Sequence, residues 1–264
     1  NDDEPSLASR VNWGNFNNAY PYIAIPGHPI AMFYGHIFDG VYQYTDFDKV
    51  GESYILKDGV PNNGNAREKI QPGDIKFKDI NRDGVVNDYD LTIIGNPNPK
   101  HIGGFGNNFQ YKNFDLNVFF QWSYGGDVLN ANRIEFEGGD PNARTSLNMF
   151  ASFANRWTPE NQTNELYRIG GQGPAVYSSR TIEDGSFLRL KTVSLGYRLP
   201  NAWLKKINIK SLRVYASAQN LITWTRYSGP DPEVSTRPTA LTPSFDWSPY
   251  PRPRTLTLGV DISF

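Results

Sequence analysis

The sequence predicts an all-β fold: antiparallel strands that form part of a larger transmembrane β-barrel, with long loops at one end. Three features predict it: strict apolar/polar alternation in the strand segments, an aromatic-rich but aliphatic-poor composition, and connections that alternate long and short. The closing stretch, Arg254 to Phe264, carries the alternation most clearly. Leu256, Leu258, Val260, Ile262 and Phe264 fall on one face, and Thr255, Thr257, Gly259, Asp261 and Ser263 on the other. Such period-two alternation marks a strand lying between two different surroundings. In a soluble sandwich the apolar face meets a second sheet; in a membrane barrel it meets lipid.

Composition narrows the choice. Of 264 residues 38% are hydrophobic, yet aromatics alone reach 14%, and the mean hydropathy is −0.55. Aromatic-rich, aliphatic-poor strands suit a wet interior, an interfacial girdle or a ligand-binding surface. A net charge of −1 gives no electrostatic case for nucleic acid. The absence of cysteine excludes disulfides, thiol catalysis and cysteine-based zinc sites. No run approaches the roughly 18–20 apolar residues of a spanning helix, which excludes helical spans and leaves barrel strands untouched. The opening "NDDEPSLASR" lacks the basic and apolar regions of a signal peptide, so an exported protein with this start is expected to be processed or cut.

Along the chain, "AMFYGHIFDGVYQY" is the best strand candidate before Tyr44, and "IQPGDIKFKDINRDGVVNDYDLTIIGNPNPKH" reads as an ordered loop. Gly104–Tyr111 and Phe114–Tyr124 form a hairpin about the two-residue turn Lys112-Asn113. Phe114, Leu116, Val118, Phe120, Trp122 and Tyr124 share one face of its second strand. Asp115, Asn117, Gln121 and Ser123 share the other, with Phe119 the exception. Taken alone, this strand fits a sandwich as well as a membrane. Further strands are expected over Gly185–Pro200, Ser211–Tyr227 and Arg254–Phe264, and residues 125–184 read as a long, weakly structured loop with a short helix in "TSLNMFASFANRW". From Phe264 backwards the connections run long (228–253), short (200–210), long (125–184), short (112–113) and long (72–103). Outer-membrane barrels have short periplasmic turns and long extracellular loops, an asymmetry that a sandwich has no physical reason to adopt. Five or six strands cannot close a membrane barrel, and open edges do not survive in hydrocarbon, so the remaining strands are expected from elsewhere.

Five ordered blocks carry a resemblance: "GDIKFKDINRDGVVNDYDLTIIGNPNPK", "FDLNVFFQWSYGGDVLN", "SFLRLKTVSLGYRLP", "VYASAQNLITWTRYSGPDPEV" and "YPRPRTLTLGVDISF". From roughly Pro29 to Phe264 they resemble the C-terminal portion of SusC/RagA-family TonB-dependent outer-membrane transporters. The resemblance implies that residues 1–264 are the C-terminal part of a barrel of about 22 strands, with the plug domain and N-terminal strands outside this chain. It implies import of oligosaccharides or oligopeptides across the cell outer membrane, driven by TonB, with a SusD-like surface lipoprotein over the extracellular loops. It also implies that Leu256, Leu258, Val260, Ile262 and a C-terminal Phe264 resemble the signal read by the outer-membrane assembly machinery, the strand closing the barrel against the first one.

Asp79–Asp90 is the only stretch with explicit coordination chemistry. Asp79, Asn81 and Asp83 occupy positions 1, 3 and 5 of a calcium loop, Gly84 the sharp turn at 6, the Val85 carbonyl 7, Asn87 position 9 and Asp90 position 12. Hard oxygen ligands at this spacing suit a structural Ca²⁺. Asp at position 12 departs from the EF-hand glutamate and resembles the loop of dockerin modules. An Asp/Asn-rich turn satisfied by its own side chains is the alternative. Catalysis finds little support. His28, His36 and His101 lie in separate segments, Glu135, Glu137 and Asp140 have no identifiable partner, and Gly103–Gly106 lacks the strand and helix of a phosphate loop. Transport leads as the expected function. A secreted calcium-binding β-domain that binds glycans is the other reading, using the same acidic loop and aromatics in water.

Overall fold

The hairpin at Lys112-Asn113 organises the larger sheet. The structure, a computed structural model, describes residues 11–13, 16, 20–138, 147–173, 177–205, 208–237 and 239–264. Strands β1 (His101–Tyr111), β2 (Phe114–Tyr124), β3 (Phe187–Arg198), β4 (Ser211–Thr225) and β5 (Thr255–Ser263) form one antiparallel sheet in the order β5-β4-β3-β2-β1. Lys112 takes φ 53° in the turn, the positive value that tight hairpin turns require at their first central position. The strands expected in this sheet are present, β2 at its expected ends and the others with ends moved by a few residues, and β5 stops at Ser263, one short of Phe264.

Register fixes two unlike faces. Val118, Val193, Ala218 and Leu256 stand side by side across four strands, as do Leu116, Leu195, Ala216 and Leu258. On the opposite face Asn117, Ser194, Ser217 and Thr257 make the matching row. The alternation breaks once. Lys191 on β3 is an extra residue between partners Leu190 and Thr192, and the facing bend in β4 holds Asn220 at φ 52°. A bulge re-aims a side chain, and here Lys191 Nζ donates to Gln121 Oε1 on the polar face.

This sheet belongs to a compact unit of residues 99–126, 184–233 and 250–264. Among the described residues, all four buried clusters of apolar side chains lie outside it, in the other unit. The sheet therefore has no core of its own, and its apolar row faces outward: Leu256 and Leu258 are 76% and 86% exposed. Burying each such side chain is worth roughly 1.5–3 kcal/mol, so a face this apolar demands a covering medium.

The other unit comprises residues 1–98, 127–183 and 234–249. Here the structure departs from the sequence reading. The segments read as long loops contain short strands and a helix α1 (Ala131–Glu137), packed on their own cores. The candidate strand 31–44 is two strands, Met32–Gly35 and Phe38–Val41, which pair with Thr92–Gly95 and Ile75–Phe77 respectively. All four residues of Met32–Gly35 are buried, so this strand shows no alternation that periodicity could detect. The helix expected within 145–157 is a 3₁₀ turn, Ala151–Asn155, with residues 145–146 outside the described set.

Candidate functional site

The polar face of the sheet carries an ordered set of charges. Arg213 on β4 lies between two carboxylates, with Nη2 2.6 Å from Asp115 Oδ2 and Nη1 3.2 Å from Asp261 Oδ2. Nearer the long-connection end, Arg189 on β3 is nearly enclosed, its side chain 3% exposed. Its Nη2 donates to Asp231 Oδ1 at 2.6 Å, and Nη1 lies 3.5 Å from Glu233 Oε2. Arg252, on the returning stem of the same loop, pairs with both carboxylates at 3.1 Å and 2.7 Å. Two arginines and two carboxylates thus close the base of the 228–253 loop onto the strand wall. Gln121 joins them, its Nε2 3.4 Å from Glu233 Oε1. Sequence reasoning missed this clamp, because its members are far apart in the chain and only pairing in the sheet brings them together.

The outer face carries aromatic rings at both ends. Phe114 packs on Tyr197 with centroids 4.7 Å apart, near the short-turn end. At the other end His101 stacks on Tyr124 at 5.1 Å and accepts a hydrogen bond from Trp122 Nε1 at 3.1 Å. Paired aromatic bands at the two rims of an apolar sheet face match the girdles of membrane barrels.

The acidic loop is closed by hydrogen bonds of its own. Asp79 accepts the N–H groups of Arg82 (2.6 Å) and Gly84 (2.8 Å). Asp83 accepts from Val85 N (2.8 Å) and Asn81 Nδ2 (2.9 Å). The Val85 carbonyl is approached by Asn87 Nδ2 at 3.3 Å. Asp90, wholly buried, takes Ile80 N at 2.7 Å and Asn87 N at 2.9 Å, completing a capping box with Asn87. The donor set suits calcium chemically, but among the described residues no three carboxylate or imidazole groups converge as a metal shell. His36, beside this loop, stacks on Phe77 at 5.2 Å. Burial pushes its pKa down against the pull of Asp90 and Asp88, which favours the neutral imidazole.

Of the other carboxylates singled out, Glu137 ends α1 in an ion-pair group. Arg180 Nη1 lies 2.7 Å and Arg133 Nε 3.0 Å from its Oε2, and Ser152 Oγ donates to Oε1 at 2.8 Å. Glu135 is buried on the same helix, and Asp140 lies outside the described residues. His28 and His101 fall in different units.

The class these features define is an antiparallel sheet with one apolar and one polar face. The family is given by comparison: the chain is homologous to TonB-dependent receptors of the SusC/RagA family. It is 36% identical over 256 residues to TonB-dependent receptor P3 of Formosa agariphila, across 95% of this chain and 24% of that receptor. It is 32% identical over 200 residues to TonB-dependent receptor SusC of Bacteroides thetaiotaomicron, across 75% of this chain and 18% of that one. The solved RagAB peptide transporter matches 97% of this chain and 24% of its own, with a TM-score of 0.69 at 25% identity. No family model matches. The chain thus spans a quarter or less of the length of these relatives, which are receptors and transporters rather than enzymes.

Proposed function

We propose that this chain is the C-terminal wall of an outer-membrane barrel that imports oligosaccharides or oligopeptides, energised through TonB. The observation that carries the reading is the five-stranded sheet, with its apolar outer face, polar inner face and no core of its own. Its edge strands β1 and β5 then pair with the remaining barrel strands, since unpaired backbone groups in hydrocarbon cost several kcal/mol each. In this reading the short turns face the periplasm and the long connections face outward, under a SusD-like lipoprotein. The likeness to the solved RagAB peptide transporter supports this arrangement. The row Leu256, Leu258, Val260, Ile262 and Phe264 serves as the assembly signal, and Ca²⁺ in the Asp79–Asp90 loop is a structural addition. The test is to express the full-length receptor, fractionate the cell, and identify what co-purifies. Recovery from the outer-membrane fraction with a lipoprotein and a bound oligomer is expected. Recovery as a soluble, detergent-independent monomer would overturn the reading.

A further inference from the structure

The bulge in β3 gives the polar face a cation that the clamp does not neutralise. Leu190 and Val193 both belong to the outer face, Leu190 beside Phe120 and Ile222, Val193 beside Val118 and Ala218. Two residues rather than one separate them, so Lys191 and Thr192 are both delivered to the inner side. Lys191 Nζ donates to Gln121 Oε1, and Nε2 of the same amide is 3.4 Å from Glu233 Oε1. The ammonium is therefore held half-buried against the wall, at the foot of the 228–253 loop. On the facing strand Asn220 Nδ2 donates to the Pro253 carbonyl at 3.3 Å, which ties the other stem of that loop to the same bulge.

The charges around Lys191 leave it in surplus. Asp231 and Glu233 are each shared by Arg189 and Arg252. Both oxygens of Glu233 are engaged, Oε1 by Gln121 and Oε2 by the two arginines. Two carboxylates thus answer two guanidinium groups, and Lys191 is a third cation whose partner is a neutral amide. Among the described residues no carboxylate lies within 4.0 Å of its Nζ, and no second acceptor takes up its three donors. Asp115 and Asp261, on the same face, are occupied by Arg213. Asp115 stands opposite Gly196, five residues or about 16 Å along β3, roughly twice the screening length at physiological salt.

We infer that Lys191 receives a carboxylate of the imported oligomer, which makes the receptor selective for acidic cargo. The inference rests on the import reading, in which this face lines the path. The shared chemistry is the carboxylate, offered by an acidic side chain in a peptide or by a uronate in a glycan. An incoming carboxylate takes the free N–H groups of Lys191 while Gln121 keeps its own, so the clamp stays closed around the bound cargo.

The test uses the full-length receptor as recovered from the outer-membrane fraction, in detergent, with binding measured by titration calorimetry. One pair of probes is an amidated pentapeptide with two glutamates and the same peptide with two glutamines. The other is trigalacturonate and its methyl ester. An ion pair at a half-exposed site changes affinity by up to about fivefold. Wild type should bind one acidic probe about fivefold more tightly than its neutral partner, and high salt should shrink the difference. Which pair shows it tells whether the carboxylate belongs to peptide or glycan. Lys191→Gln should remove the preference and leave the affinity for the neutral probe unchanged, and Lys191→Arg should keep the preference. A wild type that prefers neither acidic probe, or a preference that survives in Lys191→Gln, would overturn the site while leaving the barrel intact. A receptor recovered as a soluble, detergent-independent monomer would instead overturn the barrel reading itself.

Discussion

The indole of Trp122 lies across the backbone of Gly103, its cross-strand partner: a Cβ built there would sit 2.3 Å from Trp122 Cζ2. Gly104 and Gly106 do the same on the other face for Phe119, with Cβ approaches of 2.8 Å and 3.3 Å. The glycine run in β1 is therefore a seat for aromatic rings. Gly103→Ala should destabilise the sheet by about 1–3 kcal/mol through overpacking against a rigid ring. Gly106→Ala, where the approach is looser, should cost less. Urea unfolding of the receptor in detergent, followed by tryptophan fluorescence, checks the order.

The two faces of β2 should respond oppositely to charge. Arginine at a lipid-facing midplane position costs roughly 2–4 kcal/mol. Val118→Arg should reduce the folded, heat-modifiable barrel on gels far more than Asn117→Arg. Equal losses would mean that the faces are misassigned.

The loop clamp should depend on its buried member. Removing one partner of a buried ion pair costs about 3–5 kcal/mol, and Arg189 is the most enclosed of the four groups. Asp231→Ala should therefore free the 228–253 loop for proteolysis. Arg252→Ala removes a group 43% exposed and should do much less. Mapping protease cuts in the two variants distinguishes them.

Glu137 gives the unit that contains α1 an acid-sensitive element. Burial pushes its pKa up, but Arg133, Arg180 and two hydrogen bonds outweigh burial and hold it below the usual 4.5. A folded-state pKa below the unfolded one stabilises the fold above the unfolded value, and that contribution is lost as pH falls through the folded one. Near-ultraviolet circular dichroism of the intact receptor should show tertiary signal lost below about pH 4.5. In Glu137→Gln the signal should already be weaker at neutral pH and less dependent on pH in the acid range.

Asp90 and Asp83 separate the hydrogen-bonded loop from the calcium proposal. Hydrogen bonds to a buried charge are worth about 1.5–3 kcal/mol each, so Asp90→Ala should raise amide exchange throughout 79–90. Asp83→Ala, exposed at the tip, should act locally. If calcium binds, millimolar Ca²⁺ should slow exchange in wild type and not in Asp83→Ala. No calcium effect in wild type would remove the cation and keep the turn.

Much of the sheet was legible because its signals are local. Strand β2 emerged at its observed bounds, Phe114–Tyr124, since alternation and a two-residue turn are read within a short window. Phe119 stood out as an exception, and its partner glycines explain it. The bulge at Lys191 was invisible, because it is a relation between three strands. The pairings in the unit that contains α1 were missed for the same reason: Leu129 pairs in parallel with Phe245, more than a hundred residues away. In the acidic loop the spacing pointed to calcium ligands, and the same residues hydrogen-bond within the loop. Only the structure shows Asp90 turned onto the backbone amides of Ile80 and Asn87.

The most direct test of the account is a spin-label scan of β2 in the full-length receptor reconstituted in liposomes. The chain contains no cysteine of its own, so single cysteines at positions 114 to 122 add the only labelling sites in this region. Collision with oxygen, which concentrates in lipid, should peak at Leu116, Val118 and Phe120. Collision with a water-soluble nickel chelate should peak at Asp115, Asn117 and Gln121. Two period-two patterns out of phase would establish a wall between lipid and water. Collision rates without that period, or the nickel chelate reaching both faces equally, would contradict the membrane barrel.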